Sequence, residues 1–278
     1  MKVIFTIILF FNFCFTFSQT KVEKSKQELT KNSASTNTSS TSRTTSSRSS
    51  NTNNDTNLFV EIAGYVFLGV FKYGVIGDYK NENHLYTNLT DYPYYNGESG
   101  NYENYNSIDA DSTKKNFRFD IENHFLYSDK ALFGNHLKAK IRPFQYFYLQ
   151  ADYHQLFEKD NRTHSTEKLS LYYFNLGYDR IRFESFNFGF TLGISYVGND
   201  VKKAGLSAGI NTEAFIGHNI SLAAAAKWST INGQSVNAYE LQSRYHSKRY
   251  FVALGFEHLK IASPQYNFIT LGGGIYLN

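Results

Sequence analysis

The chain contains few of the residues that form covalent links or carry soft-metal and thiol chemistry. Its 278 residues include one Cys, one Met, one Trp and three Pro. Cys14 lies within an N-terminal apolar stretch, and a mature chain without that stretch would have no disulfide, thiolate metal site or cysteine nucleophile. An excess of one charge is also lacking, since 28 basic residues face 24 acidic ones. This balance argues against a nucleic-acid partner, which would need a basic surface.

The N-terminal stretch predicts export. Lys2 precedes a mostly apolar run over residues 3–17, and Ser18 before Gln19 offers a small residue for cleavage. We therefore expect a signal peptide over residues 1–18, cleaved near Ser18. The alternative is a lipoprotein signal that uses Cys14, but the residues before that cysteine are not small. The Ser-Gln junction after a Phe-rich run resembles signal peptides of Bacteroidota.

Residues 19–57 read as a Ser/Thr/Asn-rich linker. Ser, Thr or Asn fills 23 of the 28 positions between 30 and 57. Such a segment has no apolar side chains to bury, so we expect it to be disordered. A plain spacer is the favoured interpretation, and a tether, a glycan acceptor or a peptidoglycan contact is the alternative.

Residues 58–77 form a hydrophobic strand or helix. Glu61 and Lys72 are the only charged side chains there, and the length is close to that of a membrane-spanning helix. Apolar residues at helical spacing favour helix, whereas the glycines and the Val, Phe and Tyr content favour strand. The sequence leaves both open, with a slight preference for helix.

Residues 78–115 form a tyrosine-rich loop or cap. Tyrosine among Gly, Asn and Ser is the composition of adaptable recognition loops, because rigid rings alternate with flexible polar linkers. The segment could bind an envelope protein or a glycan, or its rings could only pack on the rest of the fold. The candidate partner-binding residues are Tyr92, Tyr94, Tyr95, Tyr102 and Tyr105.

From residue 116 onward, apolar and polar residues alternate with a period of two. In the segment 219–231, Leu222 and Trp228 fall on one face and Ser221 and Lys227 on the other. The 22 Tyr and 25 Phe of the chain also suit strands. We predict ten strands, with eight or twelve as alternatives, at 116–127, 136–143, 145–157, 167–179, 185–198, 204–217, 219–231, 236–247, 249–261 and 265–277.

In an exported chain, these strands predict an all-β fold, an up-and-down antiparallel transmembrane β-barrel over residues 116–278. A closed barrel satisfies both a lipid-facing apolar face and a polar inner face. The architecture resembles the outer-membrane β-barrels of Bacteroidota, which implies an outer-membrane location with membrane lipid as a partner. The alternative fold is a soluble periplasmic β-sandwich.

The inner face of this barrel is predicted to be charged. A ten-strand interior is narrow, so its charges would be desolvated and would have to pair. Because basic and acidic side chains balance, a paired lumen that excludes solute is favoured over a selective pore or a ligand pocket. The predicted network comprises Arg118, Asp120, Glu122, Lys138, Lys140, Arg142, Asp152, Glu213, Lys227, Glu240, Arg244 and Glu257, with His124 and His154 among them.

No motif of catalysis, metal binding or cofactor binding stands out. Ser170, Ser195 and Ser243 form no recognisable local motif with a histidine, although His246 and His258 on successive strands could approach each other. Residues 109–112 begin like a calcium loop but lack its further ligands, and His136, His154 and His164 have no ligand spacing. We therefore predict no cofactor, metal or catalytic residue.

The expected function is that of a non-enzymatic outer-membrane barrel, a structural or interaction component of the cell envelope. A small passive channel is the first alternative. A membrane-embedded lipid or peptide hydrolase is the second, since small outer-membrane barrels permit enzymatic chemistry.

Overall fold

The computed structural model describes residues 20–31, 77–78, 81–82, 87–95, 99–104, 117–144, 146–160 and 163–278. The predicted signal peptide, most of the predicted linker, residues 58–76, Tyr105 and residues 109–112 lie outside the described residues. Within these ranges, no helix has both the length and the apolar character needed to cross a membrane.

Ten antiparallel strands close into one barrel, which confirms the predicted fold class and strand number. Each strand pairs with its neighbours in the chain, and the last strand closes the sheet against the first strand of the barrel. The sandwich alternative is therefore wrong, because a single sheet returns to its own first strand. The strands are β3 Arg118–Tyr127, β4 Leu132–Arg142, β5 Phe147–Lys159, β6 Thr166–Phe183, β7 Phe186–Val197, β8 Lys203–Ile216, β9 Ile220–Ile231, β10 Gln234–Ser247, β11 Tyr250–Ile261 and β12 Gln265–Leu277.

The alternation of the sequence becomes an apolar outer wall and a polar inner wall. On β9, Leu222 and Trp228 are exposed outside, whereas Ser221 and Lys227 are buried inside. Large aliphatic and aromatic side chains cover the outer wall around the barrel. An apolar belt of this extent is the surface that a membrane-spanning barrel presents to lipid.

Two strand bounds differ clearly from the prediction. β4 begins at Leu132 rather than at 136, and β6 continues to Phe183 rather than ending at 179. In β6 the pairing with β7 shifts register between Asp179 and Ile181, which breaks the period of two that the prediction followed. The other strand ends agree with the prediction to within two residues.

A short helix, α1 (Lys21–Thr30), corrects the predicted disorder of the linker for this part of the chain. Thr20 caps it, because its hydroxyl accepts a hydrogen bond from the Glu23 backbone N–H at 3.2 Å. Val22 and Leu29 are fully buried against the barrel. The docked apolar face provides the burial that a disordered linker would lack.

The helix lies at the rim of the barrel that carries the β9–β10 and β11–β12 connections. The Ser25 hydroxyl donates to the Ile261 carbonyl at 3.0 Å, and the Asn232 side chain donates to the Leu29 carbonyl at 2.8 Å. The helix therefore covers one mouth of the barrel.

The second mouth, where β3 begins and β12 ends, is hereafter the terminal rim. There β1 (Thr87–Leu89) and β2 (Tyr102–Asn104) form a small antiparallel sheet within the predicted tyrosine-rich segment. Arg118 at the start of β3 donates to the Thr90 carbonyl at 3.1 Å and to the Asn101 side chain at 2.7 Å. Residues 87–95 and 99–104, hereafter the cap, are thus attached to this rim.

Candidate functional site in the barrel lumen

The lumen has an apolar layer and a charged layer. The apolar layer lies beneath α1 and includes Leu156, Leu259 and Tyr266, all fully buried. The charged layer fills the space between it and the cap. All twelve charged residues predicted for the lumen lie on inner-face positions, and all are buried except Lys140, which is half-buried.

Two lysines pair with carboxylates in the middle of the charged layer. Lys138 Nζ lies 2.6 Å from Glu240 Oε2, so the pair joins β4 to β10 across the lumen. Lys227 Nζ lies 2.8 Å from Asp152 Oδ1 and 3.6 Å from Glu240 Oε1. The Lys138–Glu240 and Lys227–Asp152 contacts tie strands that are not neighbours in the sheet.

Arginines dominate the charged layer near the terminal rim. Arg244 lies 2.8 Å from Glu122 and 3.4 Å from Glu213. Arg118 contacts Asp120 at 2.8 Å on its own strand. Each of these guanidinium groups therefore reaches a carboxylate.

Asp179 forms a node that the sequence analysis missed. Its carboxylate accepts from Arg142 at 2.7 Å and from the Tyr102 hydroxyl at 2.5 Å, which links the barrel wall to the cap. Asp179 precedes the register shift and shares the inward parity of Tyr173 and Asn175, but the strand had been predicted to end at this residue. The alternation of β6, followed to the predicted end of the strand, would have identified it.

Two histidines and a glutamate meet where the charged layer borders the apolar layer. Glu257 Oε2 lies 3.1 Å from His136 Nδ1, and Glu257 Oε1 lies 2.7 Å from His154 Nε2. The two imidazole rings stack with centroids 3.7 Å apart. His136 and His154 have no ligand spacing in the sequence, but adjacent strands bring them together. His164 lies in the β5–β6 connection.

Sequence reasoning missed His136 for a simple reason. The strand was predicted to begin at this residue, which was then left out of the inward set, although it shares the parity of Lys138 and Arg142. The alternation of β4 already predicted an inward side chain at this position. A start of the strand four residues earlier would have identified it.

Water-sized space remains inside the charged layer. A cavity of about 50 Å³ is bordered by Lys140, Arg142, Gln150 and Asn211, among others. Pockets that hold small organic molecules usually measure about 300–1,000 Å³. This cavity therefore fits a few water molecules rather than a solute.

The described tyrosines of the cap face the barrel to different degrees. Tyr102 is 1% exposed, so it has no free surface for a partner, and this corrects its predicted role. Tyr94 donates a hydrogen bond to the Ile220 carbonyl and packs 5.4 Å from the His246 ring. Tyr92 and Tyr95 pack edge to face at 5.2 Å and stay half-buried, so they keep surface for a partner.

The serines considered as nucleophiles lie apart from histidines. Ser170 donates to the Gln155 side chain at 2.7 Å, Ser195 donates to the Gly205 carbonyl at 3.4 Å, and Ser243 is exposed on the outer wall. His246 faces the lumen and His258 the outer wall, so the two do not approach each other.

One serine–histidine contact does occur, between Ser221 Oγ and His246 Nε2 at 2.8 Å. The Ser221 hydroxyl donates to Glu213 at 2.8 Å, so it accepts its second hydrogen bond from the imidazole. In this arrangement the histidine is a donor to the hydroxyl and not its base. The contact therefore serves the lumen network.

No known protein family and no curated protein matches the chain. Among solved structures, it is similar to an outer membrane channel from Pseudomonas putida F1, with 7% identity, a TM-score of 0.35 and coverage of 62% of this chain and 99% of that one. It is also similar to the outer membrane protein Ail of Yersinia pestis, with 12% identity, a TM-score of 0.35 and coverage of 58% and 99%. A porin matches with 12% identity, a TM-score of 0.29 and coverage of 69% and 73%.

Proposed function

We propose that the protein is a sealed, non-catalytic barrel of the outer membrane that acts as a structural or interaction component of the cell envelope. The observation that carries this proposal is a lumen filled by paired charges and covered at both rims. Neither covering depends on a ligand, since α1 and the cap belong to the same chain.

The outer wall supports the membrane location. Leu192, Leu254 and Leu271 are each more than half exposed, and they belong to a belt of exposed apolar side chains on the strands. In water such a belt would promote aggregation, whereas in a bilayer it is solvated by lipid tails. The predicted signal peptide and the resemblance to barrels of Bacteroidota favour the outer membrane of that group of bacteria.

The paired lumen supports a sealed state. A continuous path for ions would have to separate pairs such as Lys138–Glu240, whose side chains are less than a tenth exposed. Breaking a buried pair costs about 3–5 kcal/mol, because it leaves an uncompensated charge out of water. This cost argues against the passive-channel alternative.

The exposed surface of the cap is the proposed site of interaction with a partner. At the terminal rim, the half-buried rings of Tyr92 and Tyr95 offer amphipathic contact area to an envelope protein or a glycan. The described residues 87–95 and 99–104 thus act as a cap and leave part of the Tyr92 and Tyr95 rings exposed, so the two interpretations of this segment are compatible.

The location is tested by fractionation and electrophoresis. We expect the protein to stay with the outer membrane during carbonate washing, and unboiled samples to migrate faster than boiled ones. Identical migration together with release by carbonate would show that the chain is not a membrane barrel.

The sealed state is tested by conductance of purified protein in planar lipid bilayers. We expect no stepwise current at physiological salt, with insertion verified by the emission of Trp228, the single tryptophan of the chain. Regular ohmic steps would instead support a channel. Covalent labelling by a serine-directed probe that is lost on Ser221→Ala would support a hydrolase.

A further inference from the structure

Three side chains from opposite walls of the lumen converge on one point. His136 on β4 and His154 on β5 are neighbours, whereas Glu257 on β11 reaches them from three strands away in the sheet. One nitrogen of each imidazole and one carboxylate oxygen lie within 4.8 Å of one another. In a tetrahedral zinc site with bonds of about 2.0–2.1 Å, ligand atoms are separated by about 3.3 Å. The three groups can therefore reach one ion once the stacked imidazole rings turn toward it.

Several of these atoms lack a hydrogen bond although they are buried. His154 is 0% exposed, and neither of its ring nitrogens forms a hydrogen bond within the described part of the chain. Glu257 Oε1 is likewise without one, even though it lies 2.7 Å from His154 Nε2. Buried polar atoms in native proteins are normally satisfied, so these atoms retain the capacity to bind a ligand.

The local charge count points to a cation. Asp152 and Glu240 are matched by Lys227 and Lys138. Glu257, in contrast, has ion-pair contacts in the described residues with histidines alone. With neutral imidazoles the group carries one uncompensated negative charge at a site that is 1% exposed. Either a metal ion or a proton on one imidazole would compensate it.

The surroundings of His136 are compatible with a metal ligand. Its Nε2 lies 3.3 Å from Asp152 Oδ1, while its Nδ1 faces Glu257. An N–H donated to a carboxylate fixes the tautomer and leaves the other nitrogen free to bind, as is usual for histidines that bind metals. Asp152 is itself held by Lys227 at 2.8 Å, so the ring is oriented by a fixed partner.

We propose that His136, His154 and Glu257 bind one divalent transition-metal ion, with zinc as the best match. Two imidazoles and one carboxylate are ligands that Zn²⁺ accepts, and the fourth position is left to water or hydroxide. Leu156 and Leu259 lie one inward position further along β5 and β11, which shields the site from water on that side. The ion would join β11 to β4 and β5 across the lumen.

The first test is the metal content of the mature chain purified in detergent. Protein refolded with a chelator, then dialysed against Zn²⁺ and washed, is analysed by mass spectrometry for metal per chain. We expect one tightly bound zinc per chain and a higher unfolding temperature with zinc than with chelator. Absence of zinc from correctly folded protein, judged by heat-modifiable mobility, would overturn the proposal in favour of the protonated imidazole.

Matched variants locate the ion. His154→Gln and Glu257→Gln should each lower zinc affinity by at least roughly tenfold, because each removes a ligand. His258→Gln on the outer wall and His246→Gln near the terminal rim should keep the affinity of the wild type. Equal retention of zinc in all four variants would show that the ion binds elsewhere.

A spectroscopic measurement on the unaltered chain covers the case in which a ligand variant fails to fold. Co²⁺ added in place of Zn²⁺ should give visible ligand-field bands of a four-coordinate nitrogen and oxygen site, with one equivalent reaching saturation. Weak bands of an octahedral, solvent-bound ion that do not saturate would refute the site. This outcome leaves the proposed sealed barrel untouched, since conductance is measured separately.

Discussion

Single inward residues hold the strands and the cap in register with each other. Asp179 does so for the terminal rim, because Arg142 from the wall and Tyr102 from the cap share its carboxylate. All three residues are nearly inaccessible to solvent. A buried carboxylate with a charged donor on one side and a neutral donor on the other is stabilising only while every partner stays in place.

We expect Asp179→Asn to destabilise the folded barrel by about 3–5 kcal/mol, because it leaves the Arg142 guanidinium without its 2.7 Å partner. Urea unfolding in lipid vesicles, followed by Trp228 fluorescence, measures the change. Asp200→Asn is the control, since Asp200 is 75% exposed and pairs with Lys26 at the surface. That change should cost about 1 kcal/mol or less. Similar losses for both variants would show that the Asp179 node contributes little.

Residue positions were predictable wherever the alternation was regular. The inward set from Arg118 to Glu257 could be read from the sequence because side chains alternate strictly along a strand. Asp179 and His136 follow the same alternation, but they were left out because the predicted strands ended or began at these residues. The His136–His154–Glu257 group was further hidden because its members are 121 residues apart at the extremes.

At the scale of elements, the sequence of α1 contains helix signals that the overall composition of the linker does not show. The chain around it is dominated by Ser, Thr and Asn, yet Thr20 and Glu23 have the spacing of a capping box. Val22, Ser25 and Leu29 then recur on one helical face, and all are buried. This weakly amphipathic helix forms because it packs on an apolar surface of the barrel rim. The local sequence of the helix does not reveal that contact.

Docking of α1 should depend on pH through Glu28. Hydrogen bonds from the Ser263 hydroxyl and backbone N–H, at 2.6 and 2.9 Å, hold the pKa of this carboxyl below its ordinary value. A lowered pKa means that docking is strengthened above the ordinary glutamate pKa of about 4.3 and weakened as pH falls through the lower value. A spin label at Lys31→Cys should therefore gain mobility under acid conditions.

Two substitutions make this test specific. Glu28→Gln should raise the label's mobility already at neutral pH and remove its acid dependence. Glu23→Gln is the control, because the Glu23 carboxylate accepts from Gln27 within the same helix at 3.2 Å. Acid-induced mobility that persists in Glu28→Gln would assign the pH dependence to another group.

The cap is held by close backbone approach as well as by hydrogen bonds. A Cβ at Gly100, whose φ is +144°, would lie 1.4 Å from the Glu184 carbonyl oxygen, so Gly100→Ala must displace the cap. We expect faster chymotrypsin cleavage at the cap tyrosines with the barrel still heat-modifiable. Gly217→Ala at the same rim serves as the control, because its Cβ meets no other atom and the change strains only the β8–β9 turn, where φ is +56°. Equal cleavage rates in the two variants would contradict the docked position of the cap.

At the scale of the whole molecule, the distribution of polarity is inverted relative to a water-soluble protein. Charged side chains such as Glu257 and Asp152 are buried in the interior, whereas large apolar side chains cover the exterior. This inversion follows from the period of two alone, which is why the fold class could be predicted from the sequence. The coverings of the two rims could not, because they depend on contacts between distant segments.

The inverted polarity yields a test of membrane insertion that depends on depth. Leu254 lies near the middle of β11 and is 59% exposed, whereas Tyr250 begins the same strand and is 62% exposed. In a bilayer, Leu254→Lys should cost about 2–4 kcal/mol and Tyr250→Lys about 0–1 kcal/mol, because the cost of a charge falls toward the interface. Unfolding from phospholipid vesicles measures both variants against the wild type. For a barrel surrounded by water, two such exposed positions would tolerate lysine equally, so equal costs would exclude a lipid-facing outer wall.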